Sequence, residues 1–123
     1  MNETRTETEA SASAEAWGIS EAAAALHEDA VVWEMHGCPP QYAPADLDCL
    51  RRYKAAGVNY ASLNVGFDAV LWTDTIKNLS RYRAWLARYA DEFVLASTAD
   101  DIEGAKAEGR LAVGFDLEGA TGL

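Results

Sequence analysis

The feature that most constrains the fold is a short apolar run near the end of the sequence, residues 111–117, which Gly109 and Gly119 bound. A continuous apolar run of this length is typical of a strand buried on both faces, as in a parallel sheet. Asp116 interrupts the run and Glu118 follows it, and a buried carboxylate needs a hydrogen bond, an ion partner or a metal. Functional residues of parallel α/β folds lie at the C-terminal ends of strands. Two interpretations are open here: Glu118 marks a functional strand end, or both acids are solvated.

Strand and helix patterns alternate along the chain with short loops between them. This alternation predicts an α/β fold with right-handed parallel crossovers, in a sheet or a barrel. A Gly-rich phosphate loop is absent from the sequence. The β-prone runs are residues 30–33, 58–65, 93–97 and 111–117, and the helical patterns are residues 21–27, 44–56, 67–93 and 99–108.

The composition fits one ordinary domain preceded by a tail. Half of the 123 residues are hydrophobic and 24% are charged, which is typical of a globular protein. Residues 1–16 are rich in Glu, Thr, Ser and Ala and have no large apolar side chain after Met1. Such a segment buries too little surface to offset the entropy of ordering. We therefore predict a flexible acidic tail over residues 1–16 and a folded domain over residues 17–123.

Charge and hydropathy exclude several classes of partner. The 20 acidic and 10 basic residues give a net charge of −10, which repels phosphate backbones, so no nucleic acid is expected. No segment approaches the roughly 20 apolar residues that span a bilayer, and the N-terminus lacks a secretory core. We therefore expect no membrane partner and a cytoplasmic location. The spacing of Cys38 and Cys49 favours free thiols over a disulfide framework, and Cys49 is predicted to pack within a helix.

A second informative stretch is residues 34–38, which directly follow a β-prone run. His36 and Cys38 are two residues apart, so both side chains point to one face if the strand extends this far. Imidazole and thiolate are good zinc ligands. The alternative is a buried Cys beside a turn His, with Pro39 and Pro40 ending the strand. Asn64 lies near the end of the next β-prone run. Two interpretations are open for its side chain: it contacts a ligand, or it forms hydrogen bonds only with nearby backbone.

With both strand ends identified, the chain resembles the zinc-dependent membrane dipeptidases, renal dipeptidase-like peptidases with amidohydrolase-type barrels. In that family an early strand ends in Asp-x-His-x-Asp, whose His and second Asp bind one zinc ion. A later strand ends in Glu-Gly, whose Glu bridges two zinc ions. Residues 34–38 (EMHGC) and 116–119 (DLEG) correspond to these motifs. Further matches over residues 30–119 are YKAAGV at 53–58, SLNVG at 62–66, DDI at 100–102, AK at 105–106 and Gly109.

The sequence departs from the family pattern at two motif positions and in length. Glu34 replaces an Asp, and Cys38 replaces the usual metal-binding Asp. A thiolate binds zinc and is softer than a carboxylate, so an altered metal preference is expected. The other zinc-binding histidines and the proton-transferring acid of the family lie downstream of the Glu-Gly strand. The resemblance therefore implies the N-terminal portion of a TIM-type (β/α)8 barrel, incomplete because such barrels need about 250 residues.

The resemblance implies a metallodipeptidase that hydrolyses dipeptides, or similar small substrates, with a metal-activated water. His36 and Cys38 would bind one metal ion and Glu118 would bridge two. The family holds two zinc ions, and one or none is expected in this chain. Asn64 and Asp116 are candidates for supporting these ligands or contacting substrate, and no residue is assigned as catalytic acid or base.

Two other classes of function are open. The first is a non-catalytic barrel fragment, which folds only with a missing barrel half or as a homo-oligomer because open sheet edges promote association. The second is a small α/β binding or interaction domain in which His36 and the acidic residues are incidental. It predicts a stable monomer that is indifferent to metal.

Overall fold

The computed structural model describes residues 12–39 and 46–119. The chain divides into two compact units, Met1–Val32 and Trp33–Leu123. In the part that the structure describes, no helix combines the length and the apolar character needed to cross a membrane.

The first unit contains two helices, α1 over residues 12–17 and α2 over Glu21–Asp29. Ser20 caps α2 as its sequence position predicts, because its hydroxyl accepts a hydrogen bond from the backbone N–H of Ala23 at 3.2 Å. Acidic Glu21 in the first turn favours the positive end of the helix.

The helical residues 12–16 differ from the flexible tail predicted for this stretch. Composition suggested that they bury too little surface, but buried Ala14 packs with buried Ala24 of α2. The hydroxyl of Ser13 also donates to a carboxylate oxygen of Glu28 at 3.0 Å. The helix over residues 12–17 is therefore stabilised by contacts with α2, which the composition of residues 1–16 does not reveal. Residues 1–11 of the predicted tail lie outside the described residues.

The second unit is a four-stranded parallel sheet with three helices. Adjacent strands pair in parallel in the order β1-β2-β4-β3. The α/β class and the parallel sheet are therefore confirmed. The strands are β1 Trp33–Gly37, β2 Tyr60–Asn64, β3 Phe93–Leu95 and β4 Leu111–Asp116, and the helices are α3 Cys49–Ala55, α4 Trp72–Arg88 and α5 Ala99–Ala107.

Side chains alternate across the sheet and create two different faces. The larger core lies on one face, where Leu63 and Val113 pack with Leu50 of α3 and Tyr82 of α4. On the other face, Ala112 packs with α5. The register pairs Ala112 with Tyr60, Gly114 with Ser62 and Asp116 with Asn64, so the second face is the one that leads to the polar strand ends.

An ion pair beside an aromatic cluster joins α3 to the segment between α4 and β3. Arg51 donates two hydrogen bonds to the carboxylate of Glu92, at 3.1 and 2.7 Å. Its guanidinium carbon lies 4.9 Å from the ring centroid of Tyr89 and near the rings of Trp85 and Phe93. The hydrogen bonds from Arg51 hold the pKa of Glu92 below its ordinary value.

The strand order differs from that of a regular barrel. Consecutive β/α units of a regular barrel place their strands side by side and all their helices outside. Here β4 lies between β2 and β3, and α5 packs on the face opposite α3 and α4. The first four residues of β4 are buried, as expected for a central strand. In β3, at the edge of the sheet, only the first of three residues is buried. The predicted barrel portion is therefore not confirmed.

Several predicted boundaries were wrong by a few residues. The first strand begins at Trp33 rather than at residue 30, because pairing with β2 starts at Trp33 and Tyr60; the register is irregular between Glu34 and Gly37, where the strand ends. The helix predicted from residue 67 begins at Trp72, after a turn. The helix predicted over residues 44–56 is observed over Cys49–Ala55, and residues 44 and 45 lie outside the described residues.

Candidate metal centre

The parallel sheet brings the polar strand ends together at one edge. β1, β2 and β4 are neighbours that run in the same direction, so their carboxyl ends meet. β1 supplies His36 and the loop after it supplies Cys38, while Asp116 ends β4 and Glu118 follows it. A backbone hydrogen bond from Glu118 N–H to the carbonyl of Gly66, at 3.0 Å, extends the sheet contacts beyond β4.

Three potential ligands converge on a common point. The Nε2 atom of His36 lies 3.4 Å from Sγ of Cys38 and 3.5 Å from Oε2 of Glu118. The ligand atoms of all three residues lie within 4.8 Å of one another. Zinc–nitrogen and zinc–oxygen bonds of about 2.0–2.2 Å and zinc–sulfur bonds of about 2.3 Å put tetrahedral ligands about 3.4–3.6 Å apart. The two distances from His36 therefore match those of ligands that share one zinc ion.

Asp116 holds the imidazole in the orientation that this geometry requires. Its Oδ1 lies 2.9 Å from Nδ1 of His36, and its Oδ2 accepts a hydrogen bond of 2.7 Å from the hydroxyl of Ser62. Because an ionised carboxylate only accepts, Nδ1 carries the proton at this contact, and Nε2 is the ring nitrogen that faces Cys38 and Glu118. A carboxylate–histidine pair of this kind commonly accompanies metal ligation.

Asn64 lies beneath the same cluster. It is 1% exposed, and its amide nitrogen donates to Oε2 of Glu118 at 3.4 Å. In contrast, the side chains of His36 and Glu118 are 44% and 60% exposed. The candidate ligands are thus accessible to a small molecule, while the residues that orient them are more deeply placed.

Each predicted site residue has a definite place in this arrangement. His36, Cys38 and Glu118 come together, Asp116 contacts His36, and Asn64 contacts Glu118. Their roles in metal binding stay predictions. Cys49 lies apart from the cluster. The prediction that Cys49 lies within a helix is confirmed, but the prediction that it packs was wrong, because it is exposed at the first position of α3 while the next residue, Leu50, is in the core.

Two further residues near the site were missed by the sequence analysis. Ser62 is buried and lies two residues before Asn64 on β2, so strand alternation alone places both on the same face. Tyr53 of α3 has its hydroxyl beside Gly37 of β1. Burial raises the pKa of the Tyr53 phenol, and the negative charges of Glu34 and other neighbours raise it further. Tyr53 begins the YKAAGV match at 53–58, but that match assigned it no role at the site, because only the packing of α3 brings it here.

Comparison with known proteins shows the fold. No protein-family model matches the chain, and no curated protein matches it. A crystal structure of an amidohydrolase from Pseudomonas aeruginosa is similar, with a TM-score of 0.62 and 16% sequence identity over 73% of this chain. The match covers 26% of the amidohydrolase chain, about a quarter of its length. The likeness shows that this chain shares its fold with part of the amidohydrolase structure, and the narrower resemblance to membrane dipeptidases stays a prediction.

Proposed function

We propose that this chain carries the metal centre of a hydrolase that cleaves amide bonds, with dipeptides as the substrate implied by the resemblance to membrane dipeptidases. The observation that supports it most is the orientation of His36. One ring nitrogen is held by Asp116, and the other faces both Cys38 and Glu118 at 3.4 and 3.5 Å. The likeness to an amidohydrolase structure supports the class of reaction.

In this proposal His36, Cys38 and Glu118 hold one zinc ion. Three protein ligands leave a fourth position open, as in catalytic rather than structural zinc sites. When bound, zinc supplies Lewis acidity toward the scissile carbonyl and lowers the pKa of a water molecule. The thiolate of Cys38 favours zinc over magnesium or calcium, which prefer oxygen ligands. Within residues 12–39 and 46–119, this is the one three-residue group of this kind.

Asp116, Ser62 and Asn64 would set the proton position on His36 and the orientation of the ligand side chains. Asp116 keeps the proton on Nδ1 of His36 and leaves Nε2 free to bind. Ser62 fixes the carboxylate of Asp116, and Asn64 restrains the carboxylate of Glu118 by donating to it. This network positions the ligands before any ion arrives, which reduces the entropy cost of binding.

Metal content after desalting tests the site directly. The chain has two histidines, so His36→Ala has a matched control in His27→Ala. We expect the unchanged chain and His27→Ala to retain about one zinc ion per chain and His36→Ala to retain none. Asp116→Asn is expected to weaken zinc binding about 10–100-fold in calorimetric titrations. Equal zinc retention by His36→Ala and His27→Ala would show that zinc binds elsewhere.

Hydrolysis of dipeptides by the zinc-loaded chain tests the reaction. Glu118→Gln removes a ligand charge with little change of shape, and Glu108→Gln is the control because Glu108 is exposed beyond α5. We expect Glu118→Gln to lose turnover and Glu108→Gln to keep it. Turnover that survives in Glu118→Gln would contradict the proposed function, as would a zinc-loaded chain without turnover.

A further inference from the structure

A cavity of about 330 Å³ lies beside the candidate metal centre. Its walls are the loop between β2 and α4, the first residues of α4 and the segment that follows β4. Glu118 lines this cavity and is also one of the three candidate metal ligands. A molecule that contacts Glu118 from the cavity is therefore directly next to the position where an ion would bind.

Backbone hydrogen bonds connect two of the segments that line the cavity. The N–H of Val65 donates to the carbonyl of Asp116, and the N–H of Glu118 donates to the carbonyl of Gly66, each at 3.0 Å. These bonds join the start of the loop to the segment after β4. The side chain of Thr75 packs so closely on Gly66 that a Cβ atom there would clash with it. These contacts hold Gly66 and Glu118, two residues of the lining, against their neighbours.

Large apolar side chains surround the opening of the cavity. Leu71, Trp72 and Leu117 are 71%, 53% and 46% exposed, and all three line it. Apolar residues that surround one concave opening next to polar groups are typical of a small-molecule site. The volume is at the low end of the range for such sites, about 300–1,000 Å³, so one amino-acid residue fits better than a long peptide.

The charge of the lining distinguishes the two ends of a dipeptide. The cavity has two carboxylates, Asp68 and Glu118, and its described lining residues include no Lys, Arg or His. A substrate carboxylate would be repelled here, whereas a protonated amino group would be attracted. The apolar walls favour a residue with an aliphatic or aromatic side chain.

We infer that this cavity binds the amino-terminal residue of the substrate, with an apolar side chain against Leu71, Trp72 and Leu117. The free amino group then lies near Asp68, and the carbonyl of the same residue is directed toward the candidate ligands His36, Cys38 and Glu118. This inference rests on the proposed function and deepens it. It assigns the substrate class as dipeptides with an apolar amino-terminal residue, and it fixes their orientation in the site.

Three small probes test the assignment without any turnover. Leucinamide has the side chain and the charged amino group, and glycinamide has only the amino group. N-acetyl-leucine has the side chain, but its nitrogen is acetylated and uncharged and its carboxyl group is a free carboxylate. Each is titrated into the full 123-residue chain, and the indole N–H of Trp72 is followed by NMR. We expect leucinamide to bind at least about 10-fold more tightly than glycinamide, and N-acetyl-leucine not to saturate.

A matched pair of variants locates the binding. Leu71→Ala removes an exposed apolar side chain that lines the cavity. Ile76→Ala is the control, because Ile76 of α4 is also an exposed apolar residue, at 47%, but does not line the cavity. We expect Leu71→Ala to weaken leucinamide binding at least about 5-fold and Ile76→Ala to leave it unchanged. Equal affinity for leucinamide and glycinamide, or equal effects of the two variants, would overturn the assignment.

Zinc retention, measured on the same samples, separates this inference from the proposed function. Retained zinc without selectivity for leucinamide would overturn the cavity assignment and leave the proposed metal centre standing. Selective leucinamide binding by a chain that retains no zinc would overturn the metal centre, and with it the role of the cavity as a substrate site. Selectivity together with retained zinc supports both.

Discussion

Gly114 of β4 shows how one residue shapes the face of the sheet that leads to the site. The ring of Tyr60 on β2 lies across Gly114, so a Cβ atom at that position would clash with the phenol. Tyr60 also contacts Trp33 of β1, with ring centroids 5.1 Å apart. The absence of a side chain at Gly114 therefore permits this aromatic pair to fill the sheet face below Asp116.

Substitution at Gly114 should destabilise the fold because the Tyr60 ring has to move. We expect Gly114→Ala to lower the free energy of unfolding by about 1–3 kcal/mol, as for other overpacked cores. Gly104 in α5 is the control, since a Cβ atom there meets open space. Gly104→Ala should raise the free energy of unfolding by about 0.5–1 kcal/mol, because alanine favours helix. Urea denaturation measures both changes, and a neutral Gly114→Ala would contradict the packing described.

The residues of the site were only partly predictable. His36, Cys38 and Glu118 were identified because each lies at or just after a strand end, which apolar runs reveal locally. The 2.9 Å contact between His36 and Asp116 joins residues 80 positions apart, and no local pattern gives such a distance. Ser62 was missed because a serine in a β-prone run has no distinctive signal until its neighbour strand is known.

At the scale of elements, the start of α5 illustrates a structure that its own sequence specifies. Thr98 and Asp101 form a capping box, in which the Thr98 hydroxyl accepts from Asp101 N–H and the Asp101 carboxylate accepts from Thr98 N–H. The same carboxylate accepts from Ser97 N–H at 2.8 Å. These bonds satisfy backbone donors that the first helical turn leaves unpaired.

The capping box should make stability depend on pH. Hydrogen bonds from the Ser97 and Thr98 backbone lower the pKa of Asp101 below its ordinary value of 3.8. A carboxyl group with a lowered pKa in the folded state stabilises the protein fully above the ordinary value. This stabilisation is lost as pH falls toward the lowered pKa. We expect the stability difference between the unchanged chain and Asp101→Ala to shrink on acidification from about pH 7 to about pH 3.

The neighbouring acid supplies the control for this pH dependence. Asp100 is exposed in the same first turn, and Asp100→Ala should show a smaller difference with less dependence on pH. Chemical denaturation at several pH values measures both variants. A difference for Asp101→Ala that does not change with pH would contradict the ionised capping role.

At the scale of the whole molecule, the candidate ligands depend on the assembled sheet. His36 and Cys38 belong to the edge strand β1 and the loop after it, while Glu118 follows the central strand β4. These ligands meet only when β2 pairs with both strands. A metal that binds this arrangement and not the unfolded chain must stabilise the folded state.

Zinc should therefore raise the free energy of unfolding, and a chelator should remove the effect. At free zinc 100-fold above the dissociation constant, the expected gain is about 2.7 kcal/mol, or less where the unfolded chain also binds zinc. Cys38→Ser should reduce this gain and Cys49→Ser should keep it, since Cys49 lies outside the three-ligand group. Equal gains in the two variants, measured by thermal unfolding with and without zinc, would contradict ligation by Cys38.

Local sequence patterns are enough to predict the alternation of strands and helices, the parallel α/β class, the N-caps Ser20 and Thr98, and the strand-end positions of His36 and Glu118. These features depend on periodicity and on neighbours within a few residues. Only the tertiary structure decided that β4 lies between β2 and β3, that α5 covers the opposite face, and that Asp116 orients His36. It also formed the cavity beside Glu118. The physical reason is that several apolar strands of similar composition compete for the same partners, and the choice depends on contacts summed over segments that are distant in the chain.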